Sequence, residues 1–236
     1  MKGTQHTFKR YEKKYLLTPE QYGRILPELG REMREDEYGQ YTICNIYYDT
    51  QSFELVRASM AKPVYKEKFR LRSYGVPDRE GVIYAEIKKK YDGVVCKRRV
   101  AACPDDIQAF ITEGRRLDED REIQQEIRCF FDRYHPQPKV FIGYDRMALA
   151  GREEPELRIT FDRNIRWRGD ALDLCAGDRG KPVLPDGGIV MEVKVLQAAP
   201  LWLAHVLSEN RIYPLSFSKY GTCYRRHIAA RQFQKG

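Results

Sequence analysis

Four basic side chains, Lys66, Lys68, Arg70 and Arg72, alternate with Glu67, Phe69 and Leu71. A strand turns successive residues to opposite faces, so this spacing gathers four cations on one face. Such a face suits phosphate oxygens, with Arg binding in a two-pronged fork and Lys as a mobile point charge. A second signal is Asp92-Gly93, the pair preferred in two-residue type I′ hairpin loops. That loop predicts a register in which Tyr91 faces Val94, Lys88 faces Lys97 and Glu86 faces Arg99. Opposed like charges cost up to about 1 kcal/mol, a cost an anion lying between Lys88 and Lys97 removes. Carboxylate and ammonium recur two residues apart at Glu12 and Lys14, Glu86 and Lys88, and Glu192 and Lys194, and Tyr144 with Arg146 and Glu156 with Arg158 are spaced alike. Glutamates set among cations can hold Mg²⁺ or Mn²⁺, hard ions that bridge phosphates, and the combination supplies the parts of phosphoryl transfer. If Glu12, Lys14, Arg70, Arg72, Glu86, Lys88, Arg146, Arg158, Glu192 and Lys194 all point into one closed lumen, it is a wet, charged tunnel that needs a charge-matched ligand. For any one strand the competing reading is a solvated outer face whose lysines deter edge pairing.

The elements that must position these residues follow from local pattern. Phe8 to Leu17 reads as extended, and Thr18-Pro19-Glu20-Gln21 offers an N-cap, a first-turn proline and a reciprocal glutamine, opening a helix that ends near Leu29-Gly30. Tyr41 to Tyr48, Val64 to Tyr74, Val82 to Lys90, Val94 to Ala101, Lys139 to Ala148, Leu157 to Phe161 and Ile189 to Leu196 read as strands. Helices are expected through Phe53 to Val56, after Pro104, after Asp118-Glu119, over Pro200 to Ser208 and over Ser218 to Ala230. The expected fold is α+β, a single domain over 1–236 with an antiparallel eight-stranded β-barrel tunnel and flanking helices.

Composition narrows the classes. The 236 residues are 42% hydrophobic and 32% charged, which excludes a disordered or collagen-like chain. The longest apolar stretch, Ala198 to Leu207, is too short for a bilayer span and contains Pro200 and His205, so no membrane segment is expected. The first residues lack an apolar signal core and the six cysteines form no C-x-x-C pair, which together lead us to expect a cytoplasmic protein with free thiols. A net charge of +8 favours polyanionic partners. Walker, dinucleotide, nucleophile-elbow and zinc-protease motifs are all missing, His6, His135, His205 and His227 are too scattered to form a base or ligand set, and Lys9-Arg10 and Arg225-Arg226 come with no RNA-reading aromatics. No nucleic-acid partner is expected.

In order along the chain, Arg10-Tyr11-Glu12-Lys13-Lys14-Tyr15, Tyr47-Tyr48-Asp49-Thr50, Phe69-Arg70-Leu71-Arg72-Ser73-Tyr74-Gly75, Glu86-Ile87-Lys88, Tyr144-Asp145-Arg146, Leu157-Arg158-Ile159, Glu192-Val193-Lys194 and Ser216-Phe217-Ser218-Lys219-Tyr220 resemble the polyphosphate polymerase (VTC) domain, a branch of the CYTH-like triphosphate tunnel metalloenzymes. The resemblance implies a metal-dependent phosphotransferase, with Mn²⁺ or Mg²⁺ as cofactor, that takes a nucleoside triphosphate such as ATP and passes its terminal phosphate to a polyphosphate chain. It further implies that Lys14, Arg70, Arg72, Lys88, Lys97, Arg146, Arg158, Lys194 and Lys219 hold phosphates. Arg70, Arg72, Lys88, Arg146, Arg158 and Glu192 would be the catalytic set, Glu192 and Glu12 the metal ligands, and Tyr144 a group beside them that orients a phosphate or simply packs.

Two positions depart from the family pattern. The hydrolase branch opens with Glu-x-Glu-x-Lys, whereas here Arg10 replaces the first acid, as in the polymerase branch. Ser216 stands where fungal polymerases carry a lysine, removing one phosphate contact. The regulatory domain and membrane helices of the fungal proteins have no counterpart in this sequence, so coupled export is not expected. Two further readings stay open: a metal-dependent tri(poly)phosphate hydrolase in which Glu12 and Glu192 deliver water, and a noncatalytic polyanion-binding module.

Overall fold

The computed structural model describes residues 11–118 and 120–230. Arg10, Lys9, His6, Glu119 and the start of the first expected strand lie outside the described residues. Along the chain run β1 (Tyr11–Leu17), α1 (Pro19–Glu32), β2 (Met33–Asp49), α2 (Glu54–Met60), β3 (Tyr65–Tyr74), β4 (Ile83–Tyr91), β5 (Val94–Ala102), α3 (Pro104–Glu113), α4 (Arg121–Tyr134), β6 (Gln137–Gly151), β7 (Arg158–Arg168), β8 (Lys181–Pro182), β9 (Ile189–Val195), α5 (Leu201–Glu209) and α6 (Lys219–Cys223). A π-helical turn, Tyr224–Ala229, continues α6.

The fold is α+β, as expected. Its strands follow the hydrogen-bonded order β1-β9-β7-β6-β2-β3-β4-β5, with β8 beside β7. Among the described residues this path is open, with no ladder joining β1 to β5, and the antiparallel sheet with flanking helices is the expected class of fold. The two-residue β8 was not foreseen, because a pairing of two residues leaves no periodicity to read. β7 begins at Arg158 and Glu156 lies in the preceding turn, so those two residues are not a pair on one strand face. The ends of β2 and β7 extend well past the apolar runs that signalled them, since cross-strand pairing there depends on neighbours rather than on local pattern.

The chain divides into two compact units. The first comprises residues 1–41, 145–164 and 184–217. Its core contains Tyr15 and Leu17 of β1, Ile25 and Leu29 of α1, Ile159 and Phe161 of β7, Ile189, Met191 and Val193 of β9, and Leu203 of α5. Alternation in β9 sends Ile189, Met191 and Val193 to this core and turns Val190, Glu192 and Lys194 the other way. The expected capping box holds: the Gln21 amide donates to Thr18 Oγ1 at 3.1 Å and the Thr18 amide donates to Gln21 Oε1 at 3.0 Å. The helix it starts runs two residues beyond the expected Gly30 stop, to Glu32.

The second unit comprises residues 42–144, 165–183 and 218–236. β2, β3, β4 and β5 form an antiparallel series, and one face of it packs Phe69, Leu71, Ile87 and Val100 against Ile107 and Phe110 of α3 and Ile127 and Phe130 of α4. The β4–β5 hairpin has the register that Asp92-Gly93 predicts, with Tyr91 on Val94, Lys88 on Lys97 and Glu86 on Arg99. Asp92 and Gly93 both adopt positive φ, 41° and 83°, as a type I′ turn requires. All six cysteines are free.

Candidate functional site

In the second unit, the registers of β2, β3, β4 and β5 stack side chains into rows across one face. One row is Asn45, Arg72 and Tyr84; the next is Tyr47, Arg70, Glu86 and Arg99; then come Lys68, Lys88 and Lys97; and last Lys66 and Lys90. The core lies on the opposite face, so alternation alone assigns these side chains to the polar side.

Glu86 is the only carboxylate in these rows and is 2% exposed. Arg70 Nε donates to its Oε2 at 2.8 Å, Lys97 Nζ lies 2.7 Å from its Oε1, and Arg72 Nε is 3.7 Å from Oε2. Burial pushes the Glu86 carboxyl up, but Arg70, Arg72 and Lys97 outweigh burial and hold it down at about 2. The arginines are held from their other sides as well. Arg70 Nη1 donates to the Tyr47 hydroxyl at 3.0 Å, Arg72 Nε donates to Asn45 Oδ1 at 3.0 Å, and Arg72 Nη2 lies 3.4 Å from the Tyr144 hydroxyl. Lys219 Nζ sits 4.4 Å above the Tyr144 ring.

A buried network supports this corner. Tyr47 stacks on Tyr220 at 4.9 Å, and the Tyr220 hydroxyl donates to Asp49 Oδ2 at 2.8 Å. Asp49, fully buried, also accepts from the Leu55 amide at 2.9 Å and the Val56 amide at 3.0 Å, tying α2 to the end of β2. Burial and the Asp49 carboxylate raise the Tyr220 phenol far above the usual range, so it stays a hydrogen-bond donor. At the lysine end of the face, burial and neighbouring cations act together on Lys68. Burial, then Lys66, Lys88 and Arg70, lower the Lys68 ammonium to about 8, with only Tyr47 acting against them. Burial lowers Lys97 too, although Glu86 opposes it.

The first unit has its own charged face, built by the registers of β1, β9 and β7. Glu12, Lys194 and Arg158 form one row, and Lys14, Glu192 and Thr160 the next. Glu192 Oε2 is 3.1 Å from Lys14 Nζ and its Oε1 is 2.9 Å from Lys194 Nζ, while Lys14 also pairs with Glu12. Burial would raise the Glu192 carboxyl; Lys14 and Lys194 outweigh it and hold it far below the carboxylate range. Arg146 makes a two-pronged pair with buried Asp162, at 2.7 and 2.8 Å.

The oxygen donors around Glu192 fit a divalent cation of the hard class in a restricted way. Glu12 and Glu192 supply two carboxylates, and the buried Thr160 Oγ1 has no hydrogen-bond partner. Among the described residues no group of three or more His, Cys, Asp or Glu side chains gathers to hold a metal. An ion here would therefore draw most of its ligands from phosphate and water, the usual habit of Mg²⁺, and would displace an ammonium from Glu192.

Of the residues singled out from the sequence, Arg70, Arg72, Lys88, Lys97, Tyr144 and Lys219 lie in the second unit, and Glu12, Lys14, Arg146, Arg158, Glu192 and Lys194 in the first. Sequence reasoning placed Lys68 on the cationic face without including it in the phosphate-holding set, and put no site role on Asn45, Tyr47 or the Asp49–Tyr220 bond. Alternation carried the signal for Lys68, but nothing local marks Asn45 as the acceptor for Arg72, and Asp49 and Tyr220 are 171 residues apart.

The model of the VTC domain family matches residues 9–228. No curated protein matches the chain. Among solved structures, a candidate adenylate cyclase from Bacillus halodurans is similar with a TM-score of 0.57 at 11% identity, covering 92% of this chain and 96% of that one. A candidate adenylyl cyclase from Hippeastrum, described as having a dominant triphosphatase activity, is similar with a TM-score of 0.53 at 16% identity, again covering 92% and 96%. At these identities the likeness is one of fold. No helix among the described residues is long and apolar enough to cross a membrane.

Proposed function

The chain belongs to the VTC domain family, and from that premise we propose that it is a polyphosphate polymerase, transferring the terminal phosphate of a nucleoside triphosphate such as ATP to a polyphosphate chain. The observation that carries this reading is the second unit's face, where rows of cations surround one buried carboxylate. The triphosphate is assigned to Arg70, Arg72, Lys88, Lys97 and Lys219. Glu86, Tyr47 and Asn45 fix the two guanidinium planes before substrate arrives, so little reorganisation is needed when charge develops on the transferring phosphoryl group. A terminal oxygen of the acceptor chain attacks the γ-phosphorus, the β–γ bridging bond breaks, and the nucleoside diphosphate leaves. Cations on both sides of that bond offset the repulsion between two anionic reactants.

In the first unit, Lys14, Arg146, Arg158 and Lys194 are the further phosphate contacts of this proposal. Glu192, with Glu12, would hold Mn²⁺ or Mg²⁺, which when bound neutralises phosphate charge. The tight hold of Lys14 and Lys194 on Glu192 keeps that carboxylate ionised and ready for a metal.

Hydrolysis is the second reading. It is favoured by the carboxylates Glu12 and Glu192 standing in adjacent rows, and by the triphosphatase described for the Hippeastrum protein of similar fold. Incubation with ATP and Mn²⁺, with products separated by gel and phosphorus NMR, discriminates: long polyphosphate plus ADP supports the polymerase, orthophosphate alone at every ATP concentration supports the hydrolase, and no turnover with any triphosphate leaves a binding module.

A further inference from the structure

The aromatic rings around the second unit's polar face are distributed unevenly. Tyr47 and Tyr220 stack on each other and are both buried, and Tyr144, with Lys219 over its ring, is 2% exposed. At the arginine end the pattern reverses. β3 ends on Tyr74, two residues past Arg72 and therefore on the same face, and Tyr84 of β4 stands directly opposite Arg72. The two rings meet edge to face, with centroids 5.7 Å apart and planes at 77°. Arg99 of β5 lays its guanidinium carbon 4.3 Å from the centre of the Tyr84 ring. Tyr74 is 49% exposed, Arg99 is exposed as well, and so are Val76 and Val82 in the connection just beyond. A cross-strand aromatic pair adds to sheet stability. A ring left half in water forgoes much of that gain, however, so stability alone is a poor account of Tyr74 at this position.

We propose that Tyr74, Tyr84 and Arg99 form a stacking shelf for the base of a nucleoside triphosphate, so that the site recognises the nucleoside as well as the phosphates. The proposal rests on the reading that Arg70 and Arg72 hold a triphosphate, and it adds to that reading a place for the rest of the nucleotide. Bases stack on tyrosine rings and on guanidinium planes alike. Tyr84 holds the Arg99 plane by its cation–π contact before any ligand arrives, which lowers the cost of ordering that long side chain on binding.

The spacing along β3 suits a nucleotide. Tyr74 is about 7 Å from Arg72 and about 13 Å from Arg70 at the usual strand rise. A base on Tyr74, the sugar, and phosphates on Arg72 and then on Arg70 therefore follow one another in the order in which they are bonded. The polarity of the bound nucleotide is thereby set, with the base at the Tyr74 end and the terminal phosphate directed from Arg72 towards Arg70.

The test is calorimetric binding of ATP and of tripolyphosphate to the wild-type chain and to Tyr74→Leu, Tyr74→Phe and Arg99→Lys. Tyr74→Leu keeps apolar bulk and Arg99→Lys keeps the charge, but each removes one stacking plane. Each should weaken ATP about tenfold while tripolyphosphate affinity changes less than about twofold. Unchanged tripolyphosphate binding also shows that each variant is folded. Tyr74→Phe keeps the ring and should bind ATP as the wild type does. Equal effects of Tyr74→Leu and Arg99→Lys on both probes, or no effect on either, overturn the shelf and leave the triphosphate reading intact. A loss of ATP affinity in Tyr74→Phe as large as that in Tyr74→Leu also overturns it, since the hydroxyl and not the ring face would then be the contact. If the wild type binds neither probe, the triphosphate reading itself fails, and the shelf with it.

Discussion

Replacing Glu86 by Gln keeps the side-chain shape and removes the one negative charge among Arg70, Arg72 and Lys97. The three cations hold the Glu86 carboxyl at about 2, against 4.5 for an ordinary one, in spite of burial. A depression of that size is worth about 3 kcal/mol in favour of the ionised, folded form. Because the folded value lies below the unfolded one, this contribution is complete above about pH 4.5 and disappears as pH falls through about 2. Glu86→Gln should therefore unfold about 3 to 5 kcal/mol more easily at pH 7, the upper figure allowing for buried cations left without a partner. The gap to wild type should narrow steadily below pH 4.5. Tripolyphosphate should recover part of the loss, since an anion bound to the native state takes over between the same cations. Urea unfolding at pH 7 and at several points down to pH 2 measures each of these. A variant within about 1 kcal/mol of wild type at pH 7, or a gap that does not change with pH, refutes the electrostatic account of this corner.

Other consequences are independent of Glu86. Arg70→Ala and Arg72→Ala should each weaken triphosphate binding by about 1.5 to 3 kcal/mol, the range for charge-assisted hydrogen bonds, and calorimetry insensitive to both substitutions would argue for a merely solvated sheet face. Glu192→Gln should keep the fold, lose Mn²⁺ binding followed by electron paramagnetic resonance in the presence of a non-hydrolysable triphosphate, and lose turnover; full activity in chelator would remove its metal role. Lys68, at about 8, faces Lys66, Lys88, Arg70, Tyr47 and Ser218, and a bound phosphate chain must raise it. Chain binding above pH 8 should then take up a proton and weaken as pH rises, visible as buffer-dependent binding heats; heats at pH 8.5 that do not depend on the buffer would contradict this.

Local chemistry wrote much of this protein's framework directly into the sequence. The Thr18 to Gln21 capping box and the Asp92-Gly93 hairpin involve residues within a few positions of each other, and their backbone preferences suffice to set a helix start and a strand register. Once that register exists, period-2 alternation aligns Lys88 with Lys97 and Glu86 with Arg99 without any knowledge of the rest of the chain. The family motifs were legible for the same reason, as short runs whose spacing survives in one dimension.

Tertiary structure alone decided the partners. Alternation puts Arg70, Arg72 and Lys97 on one face, but only packing brings all three onto a single carboxylate and sinks that carboxylate to 2% exposure. It also chose Asn45 for Arg72 and set Tyr220 between Asp49 and Tyr47, contacts whose members are up to 171 residues apart in sequence. The strand order belongs with these, since among the described residues it is the pairing of distant strands that sets β1 and β5 at the two ends of the path. Such choices are settled by burial and desolvation in a common core, where each group's best partner depends on which others are already satisfied, and a linear pattern carries no record of that competition.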